Sequence, residues 1–493
     1  MNGNLICRSC LLAALASLAG CAVGPDYQRP ELTVPAQFKE TPGWKVAEPS
    51  DKVQRGKWWE RYGDAQLNAL VSQVEVSNQN VAAAQAQYRR AQAVLGAARA
   101  SYYPTLSGSF AATRAQNATG TSASSANNAV VTDTAIRNTD RVSLSASWEA
   151  DVWGRIGRTV EADTAAAQAS VADLQAALLS AQATLVQSYL QLRISDAQRR
   201  LLDATVVAYE RSLQITRNRY AAGVAGRLDV AQAETQLKST QAQAIDLGVQ
   251  RTQLEHAIAL LMGKAPADFT LPSSETLPTL PEIPAGLPSA LLERRPDVAA
   301  AERRAAAANA QIGVAQAAFF PALTFNATGG YQNSSLSQLM TLPTRFWSVG
   351  PALALTLFDA GARSAQKEQA IATYDQSVAA YRQTVLTAFQ EVEDNLAALR
   401  ILADEAVVQR QAAQFAAESL RLTSNQYQSG TVSYLNVAIT QAAALAAERN
   451  SLDISGRRLV ASAALQKALG GDWRTPSAQP APTVDSSPDI PER

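Results

Sequence analysis

A chain of 493 residues in which 43 Lys and Arg balance 43 Asp and Glu has no net charge, so charge gives no indication of a nucleic acid or other polyanionic partner. Only 17% of residues are charged and 6% aromatic, while Ala, Gln, Leu and Ser abound, a composition that favours long, closely packed helices over a conventional core. A single histidine, His256, and cysteines confined to positions 7, 10 and 21 exclude a zinc site or a Cys/His dyad in the mature chain; with no Ser/His/Asp set and no phosphate loop, neither an enzyme nor a cofactor is expected.

Residues 1–20 read as a secretory signal, with Arg8 as the charge and Leu11 to Leu18 as an apolar run too short to span a bilayer. The run ends in Leu18-Ala19-Gly20-Cys21, a sequence that resembles the bacterial lipobox, so Cys21 is expected to become the first mature residue, carrying a thioether-linked lipid and an acylated amino group such as palmitate. Ala22 stands where Asp would favour retention in the inner membrane, which points to the outer membrane. Residues 21–57 are punctuated by Pro and are predicted to form a lipid-anchored extended arm.

Beyond the arm the chain is written twice. Val81, Gly96, Pro104 and Leu106 recur as Val298, Gly313, Pro321 and Leu323 at one constant spacing; Tyr220, Gly223, Leu228, Asp229 and Val230 recur as Tyr427, Gly430, Leu435, Asn436 and Val437 at another. The first repeat, 58–263, is predicted to contain helices, strands at about 105–114 and 141–150, and a helical hairpin over 158–262. A Pro-rich linker at 264–290 separates it from the second repeat, 291–473, with strands at about 322–331 and 347–357 and a hairpin over 362–470. Residues 474–493 are predicted to be a disordered tail.

Neither Gly nor Pro interrupts the chain from Arg158 to Ala222 or from Ala362 to Ser429, enough for helices of roughly 90 to 100 Å at 1.5 Å per residue. Leu174, Leu178, Leu185, Tyr189 and Leu192, and in the second copy Val378, Tyr381, Val385, Phe389 and Val392, form coiled-coil seams. Each hairpin turns at a glycine-led break, at Gly223 or Gly430.

The four strand segments alternate apolar with small polar residues, as membrane barrel strands do, with Pro351 interrupting the last. Tyr102, Tyr103, Trp153, Phe319, Phe320 and Phe358 bracket them at the helix-proximal ends, with Tyr331, Phe346 and Trp347 at the distal ends, the distribution of interfacial girdles. The smallest single-chain membrane barrels need about eight strands, so four must be shared with other copies. The alternative is a lipid-anchored structural or adhesive coiled coil, which would need no such strands. Asp151, Glu149 and Asp359 near the strand ends could supply a carboxylate pair, more simply read as solvated charges at a barrel mouth.

The segments CAVGPDYQRP from Cys21, LLERRPDVAAAE from Leu291, AQAAFFPALT from Ala315 and WSVGPALALTLFDAGAR from Trp347 resemble the signatures of the outer membrane efflux protein family, particularly the lipoproteins serving resistance-nodulation-division pumps. The resemblance implies a mixed α and β membrane protein: a homotrimer sharing a 12-stranded β-barrel, four strands per chain, continuous with a long α-helical periplasmic tunnel. It also implies a periplasmic adaptor and an inner-membrane resistance-nodulation-division pump as partners, with drugs or other small molecules passing through passively. Acidic residues ring the closed tunnel tip of well-known relatives. Here those positions hold Asn436 and Ile439, Leu435 matches an apolar constriction position, and the first copy keeps an acid at Asp229. Gly223, Asp229, Gly430, Leu435, Asn436 and Ile439 are therefore expected at the tip, with Leu435 and Ile439 as an apolar gate.

Overall fold

The computed structural model describes residues 23–31, 56–116, 122–123, 130–131, 136–281 and 295–471. The leader, Cys21, most of the arm, the end of the linker and the tail lie outside them. In chain order, a 3-10 turn at Trp58–Tyr62 precedes α1 (Ala65–Ser77), α2 (Gln79–Ala100), β1 (Thr105–Gln116), the short pair β2 (Ser122–Ala123) and β3 (Val130–Val131), β4 (Ile136–Ala150), α3 (Arg155–Ala221) and α4 (Arg227–Leu261). The second copy supplies α5 (Pro296–Ala317), β5 (Ala322–Asn333), β6 (Arg345–Ala354), α6 (Ala362–Gln428) and α7 (Tyr434–Ala468). The duplication is visible in element length: α2 and α5 both have 22 residues, β1 and β5 12, α3 and α6 67, α4 and α7 35.

Element ends depart from expectation for local reasons. The first hairpin starts at Arg155 rather than 158, because Asp151 accepts from the N–H groups of Ile156 (2.9 Å) and Gly157 (2.7 Å) and so caps a helix that includes Gly157. It ends at Leu261, before Gly263 at φ 65°. The second ends at Ala468 rather than 470, with Gly470 at φ 79°. The second strand begins at Ile136, not 141, because β1 continues to Gln116 and pairs with it there. The fourth runs Arg345–Ala354 rather than 347–357: Ala354 is the last residue with a partner, Ala322, before Pro321, which has no N–H to offer. Pro351 stays within its strand opposite Phe325, on an edge where a missing donor is tolerated.

The chain forms two compact units. The first comprises the described residues of Gln85–Val171 and Ala300–Gln383 with residues 23–31. Its centre is an antiparallel sheet in the order β1-β4-β5-β6, with β1 and β6 as edges. The arm residues Val23–Glu31 belong to this unit and lie against its helices without regular secondary structure. Arg158, its side chain 8% exposed, donates to the Val23 carbonyl (3.3 Å), the Gly24 carbonyl (3.2 Å) and Asp26 (2.9 Å). Asn309 donates to the Pro25 carbonyl (3.0 Å), Tyr27 to Glu302 (2.9 Å) and Arg29 to the Tyr381 hydroxyl (3.2 Å). Gly24, at φ +107°, crosses so near Gly313 that a Cβ on it would lie 2.5 Å from the Gly313 Cα.

The second unit holds the described residues of 56–84, 172–299 and 384–471. Its principal core packs Trp58, Tyr62, Leu67 and Val71 from the N-terminal elements onto Leu185, Tyr189 and Leu192 of α3 and Ile258 of α4. Asp64 caps α1 through Gln66 N (2.9 Å) and Leu67 N (3.0 Å), and its other oxygen accepts from the Tyr189 hydroxyl (2.6 Å). An 18-residue stretch of α3 is apolar enough by composition to cross a membrane, but half of it is buried within the protein, as in any helix of a packed bundle.

Candidate functional site

The sheet has two chemically distinct faces, because side chains alternate along each strand. One face carries the row Phe110, Val142, Tyr331, Arg345 and the row Leu106, Ala146, Ala327, Val349, with Trp148 stacked on Phe325 at 5.7 Å between centroids. The other carries the row Ser107, Ser145, Thr328, Ser348 and the row Thr105, Ser147, Asn326, Gly350. Its hydroxyls bond across strands: Ser109 with Ser143 (2.9 Å), Ser145 with Thr328 (3.2 Å), Ser147 to Asn326 (2.9 Å). Leu106, Phe110, Leu144, Trp347, Val349 and Leu353 of the first face are exposed, which a chain in water would not sustain and a lipid-facing wall requires.

Two of the bracketing aromatics have more specific roles. Phe346 does not join the girdle: it falls in register with Gly330 on the hydroxyl face, beneath the Arg141 guanidinium at 4.4 Å. Trp153 donates its indole N–H to the Pro321 carbonyl (2.9 Å) and stacks on Phe320 at 4.7 Å, joining the end of one repeat's sheet to the start of the other's. The three carboxylates near the strand ends are all engaged. Asp151 caps α3, Glu149 pairs with Arg155 (2.7 Å) and Asp359 pairs with Arg363 at the start of α6, which holds the Asp359 carboxyl below the ordinary range.

The hairpin turns, in the second unit, repeat each other. Gly223 (φ 74°) and Gly430 (φ 80°) adopt the left-handed conformation that ends α3 and α6, and Val224 N and Thr431 N return to the carbonyls of Arg219 (2.9 Å) and Gln426 (3.0 Å). Asp229 caps α4 by accepting from Gly226 N (3.2 Å), and Asn436 N donates to the Ser433 carbonyl (3.2 Å). Leu435 (50%) and Ile439 (58%) are exposed on one face of α7 with the exposed Asn436 beside them, while Tyr434 and Val437 are buried in a cluster with Tyr209, Leu213, Val230 and Tyr427. Arg219 ties the two hairpins together by donating to the carbonyls of Tyr427 (2.7 Å) and Gln428 (3.2 Å), with its guanidinium 4.6 Å from the Tyr427 ring. Arg217 pairs with Glu234 (2.8 Å) and holds that carboxyl below its ordinary range. His256 is exposed, and among the described residues no cluster of His, Cys, Asp or Glu could hold a metal.

One polar cluster carried no signal in the sequence. Arg193, with a fully buried side chain, donates to Asp196 (2.9 Å), the Pro272 carbonyl (2.9 Å) and Gln66 (2.6 Å). Arg251 donates to Asp196 (2.8 Å), Glu255 (2.6 Å) and the Leu271 carbonyl (2.6 Å). It holds the linker against α3 and α4.

A sheet with one apolar and one hydroxyl-lined face, on a chain otherwise made of paired 67- and 35-residue helices, defines the subunit of an outer-membrane channel with a helical extension. The family described as "Outer membrane efflux protein" matches residues 70–264 and 287–471, one match per repeat, and the chain belongs to it. It is 30% identical over 471 residues to the cation efflux system protein CusC of Escherichia coli O6:H1, covering 95% of this chain and 99% of that one. With the solvent efflux pump outer membrane protein SrpC of Pseudomonas putida it shares 31% over 469 residues, covering 94% and 98%. Solved structures of CusC (TM-score 0.82, 29% identity, 92% of this chain and all of that one) and of the outer-membrane channel OprN (0.81, 30%, with the same coverage) share the fold. The family consists of channel proteins rather than enzymes. This protein is the outer-membrane channel component of a tripartite efflux pump, set in the outer membrane and extending into the periplasm.

Proposed function

We propose that the working unit is a homotrimer through which drugs or other small molecules pass without bond chemistry, delivered by an inner-membrane resistance-nodulation-division pump and a periplasmic adaptor. The observation that carries this reading is the four-stranded sheet, both of whose edge strands, β1 and β6, have an open side among the described residues. Unpaired strand edges are not tolerated in lipid, and three copies joined edge to edge give about 12 strands, enough to enclose a water-filled lumen. The hydroxyl face then lines the duct and the apolar face meets the bilayer. Cys21 adds a covalent lipid, an anchor weaker than the barrel itself. Sedimentation of detergent-extracted protein is expected to give the mass of three chains; a monomer that still exports solute after reconstitution would refute the shared barrel. Chemical crosslinking in cells followed by purification is expected to bring down one adaptor and one pump.

Leu435 and Ile439 form the gate in this reading. They lie four residues apart on an exposed helix face, and three such faces meeting on an axis make a narrow dewetting constriction. In planar bilayers the native protein should conduct poorly, and Leu435→Ala with Ile439→Ser should raise conductance several-fold without changing the oligomer. Ile439→Asp should add cation preference, because three carboxylates would approach one axis. Unchanged conductance in all these variants would place the barrier elsewhere.

A further inference from the structure

The apolar face of the sheet is not smooth. It holds a groove of about 670 Å³, and the groove exists because two positions along it have no side chain. Gly108 stands opposite Leu144, Leu144 opposite Gly329, and Gly329 opposite Trp347. Neither glycine is demanded by the backbone: a Cβ on Gly108 would meet nothing within 4 Å, and one on Gly329 only ordinary contacts at 3.8 and 3.9 Å. Gly330, one residue on, differs, since a Cβ there would collide with the backbone of Val142 and Ser143. Gly330 is explained by strand packing, whereas Gly108 and Gly329 only leave space open.

Around that space stand Phe110, Tyr331, Met340 and Trp347, and the side chains of Phe110 (61%), Met340 (70%) and Trp347 (72%) are largely exposed. One charged residue lines the groove. Arg345, the first residue of β6, lies opposite Tyr331, is exposed, and has no ion pair among the described residues. A cation on a face built for hydrocarbon is costly except where head groups begin. Arg345 follows the turn at 334–344, at the ends of the strands opposite those that join the helices, which is the level of the outer leaflet.

From this juxtaposition of an apolar notch with an unpaired guanidinium, we infer that the groove is a binding site for a phosphorylated, multi-acylated glycolipid of the outer leaflet. One acyl chain lies along the notch over Gly108 and Gly329, and Arg345 donates to a phosphate. Guanidinium offers phosphate a bidentate fork, and juxtamembrane cations recognise anionic head groups by charge. The occupant is a lipid rather than free phosphate because the groove opens on the hydrocarbon face and is lined largely by apolar side chains. The inference rests on reading that face as membrane-exposed.

The test uses the full-length protein in nanodiscs of phosphatidylethanolamine containing either diphosphoryl lipid A or its dephosphorylated form, with lipid retained after mild detergent extraction counted by native mass spectrometry. Wild type is expected to retain the diphosphoryl form preferentially. Arg345→Gln should lower that retention roughly tenfold, about 1.4 kcal/mol, and abolish the preference. Gly329→Leu, and independently Gly108→Leu, should fill the notch and lower retention of both forms. Equal retention by wild type and all three variants, in protein that still inserts and conducts, would overturn the lipid site and leave the channel reading standing. Failure of wild type to insert at all would overturn both.

Discussion

Asp196 shows how far an ion pair's weight depends on its surroundings. Along α3, Arg193 and Asp196 look like any ion pair about one helical turn apart, no different from Arg199 with Asp203 a few residues later. The second pair is about half exposed on both sides and contributes at most about 1 kcal/mol. The first has 0% and 2% side-chain exposure and shares its carboxylate with Arg251, 55 residues away. Asp196→Ala leaves the buried Arg193 guanidinium without a carboxylate, while Arg251 keeps Glu255, and should cost about 3–5 kcal/mol, read as a lowered unfolding midpoint in detergent, while Asp203→Ala should leave it nearly unchanged. Equal effects would mean that the cluster is hydrated rather than buried. The distinction could not be seen in the sequence, because it depends on the linker and α4 converging on one residue. A pH dependence arises at Asp297 in the first turn of α5. Burial pushes its carboxyl upward, but the Arg295 guanidinium at 2.7 Å prevails and holds it below the ordinary value of 3.8. A group depressed in the folded state stabilises fully above its unfolded value and loses that contribution as pH falls through the folded one. Acid titration should therefore destabilise the native protein below about pH 4, and Asp297→Asn should flatten that limb.

At the level of elements, the hairpins were legible because runs free of Gly and Pro have obvious ends, and the Gly223 and Gly430 breaks announced the turns. The strand ends were less so, since they depend on partners: β4 reaches back to Ile136 only because β1 reaches Gln116, and β6 stops where Pro321 leaves Ala354 the last paired residue. The place of Phe346 was hidden for a similar reason, since a count of aromatics near a strand end ignores which face each one takes. The cross-hairpin role of Arg219 also had no local signature. Its bond to the Tyr427 carbonyl is charge-assisted and worth roughly 1.5–3 kcal/mol. Arg219→Ala should accordingly raise hydrogen exchange of the amides around Gly430 while leaving those around Val186 protected. No change at the turn would show that the apolar cluster of Tyr209, Tyr427 and Tyr434 holds the hairpins unaided.

In the whole molecule, the N-terminal arm is held against folded protein from Val23 onward. Gly24 permits this by combining φ +107° with contact at the Gly313 backbone. Gly24→Ala should free the arm at a cost on the order of 1–3 kcal/mol, detected as new protease sensitivity between Val23 and Glu31 in protein that still assembles. Persistent protection would mean that Arg158 and Asn309 suffice. The hydroxyl ladder of the sheet bears on traffic rather than stability. Ser109, Ser145 and Ser147 already spend their hydrogen bonds on Ser143, Thr328 and Asn326. A solute sliding past meets a wetted wall with few unmet donors, gains little by stopping and loses little by moving on. Such a surface works as a lubricated bore: it leaves the choice of passenger to whatever loads the duct, and the passage time to water rather than to protein.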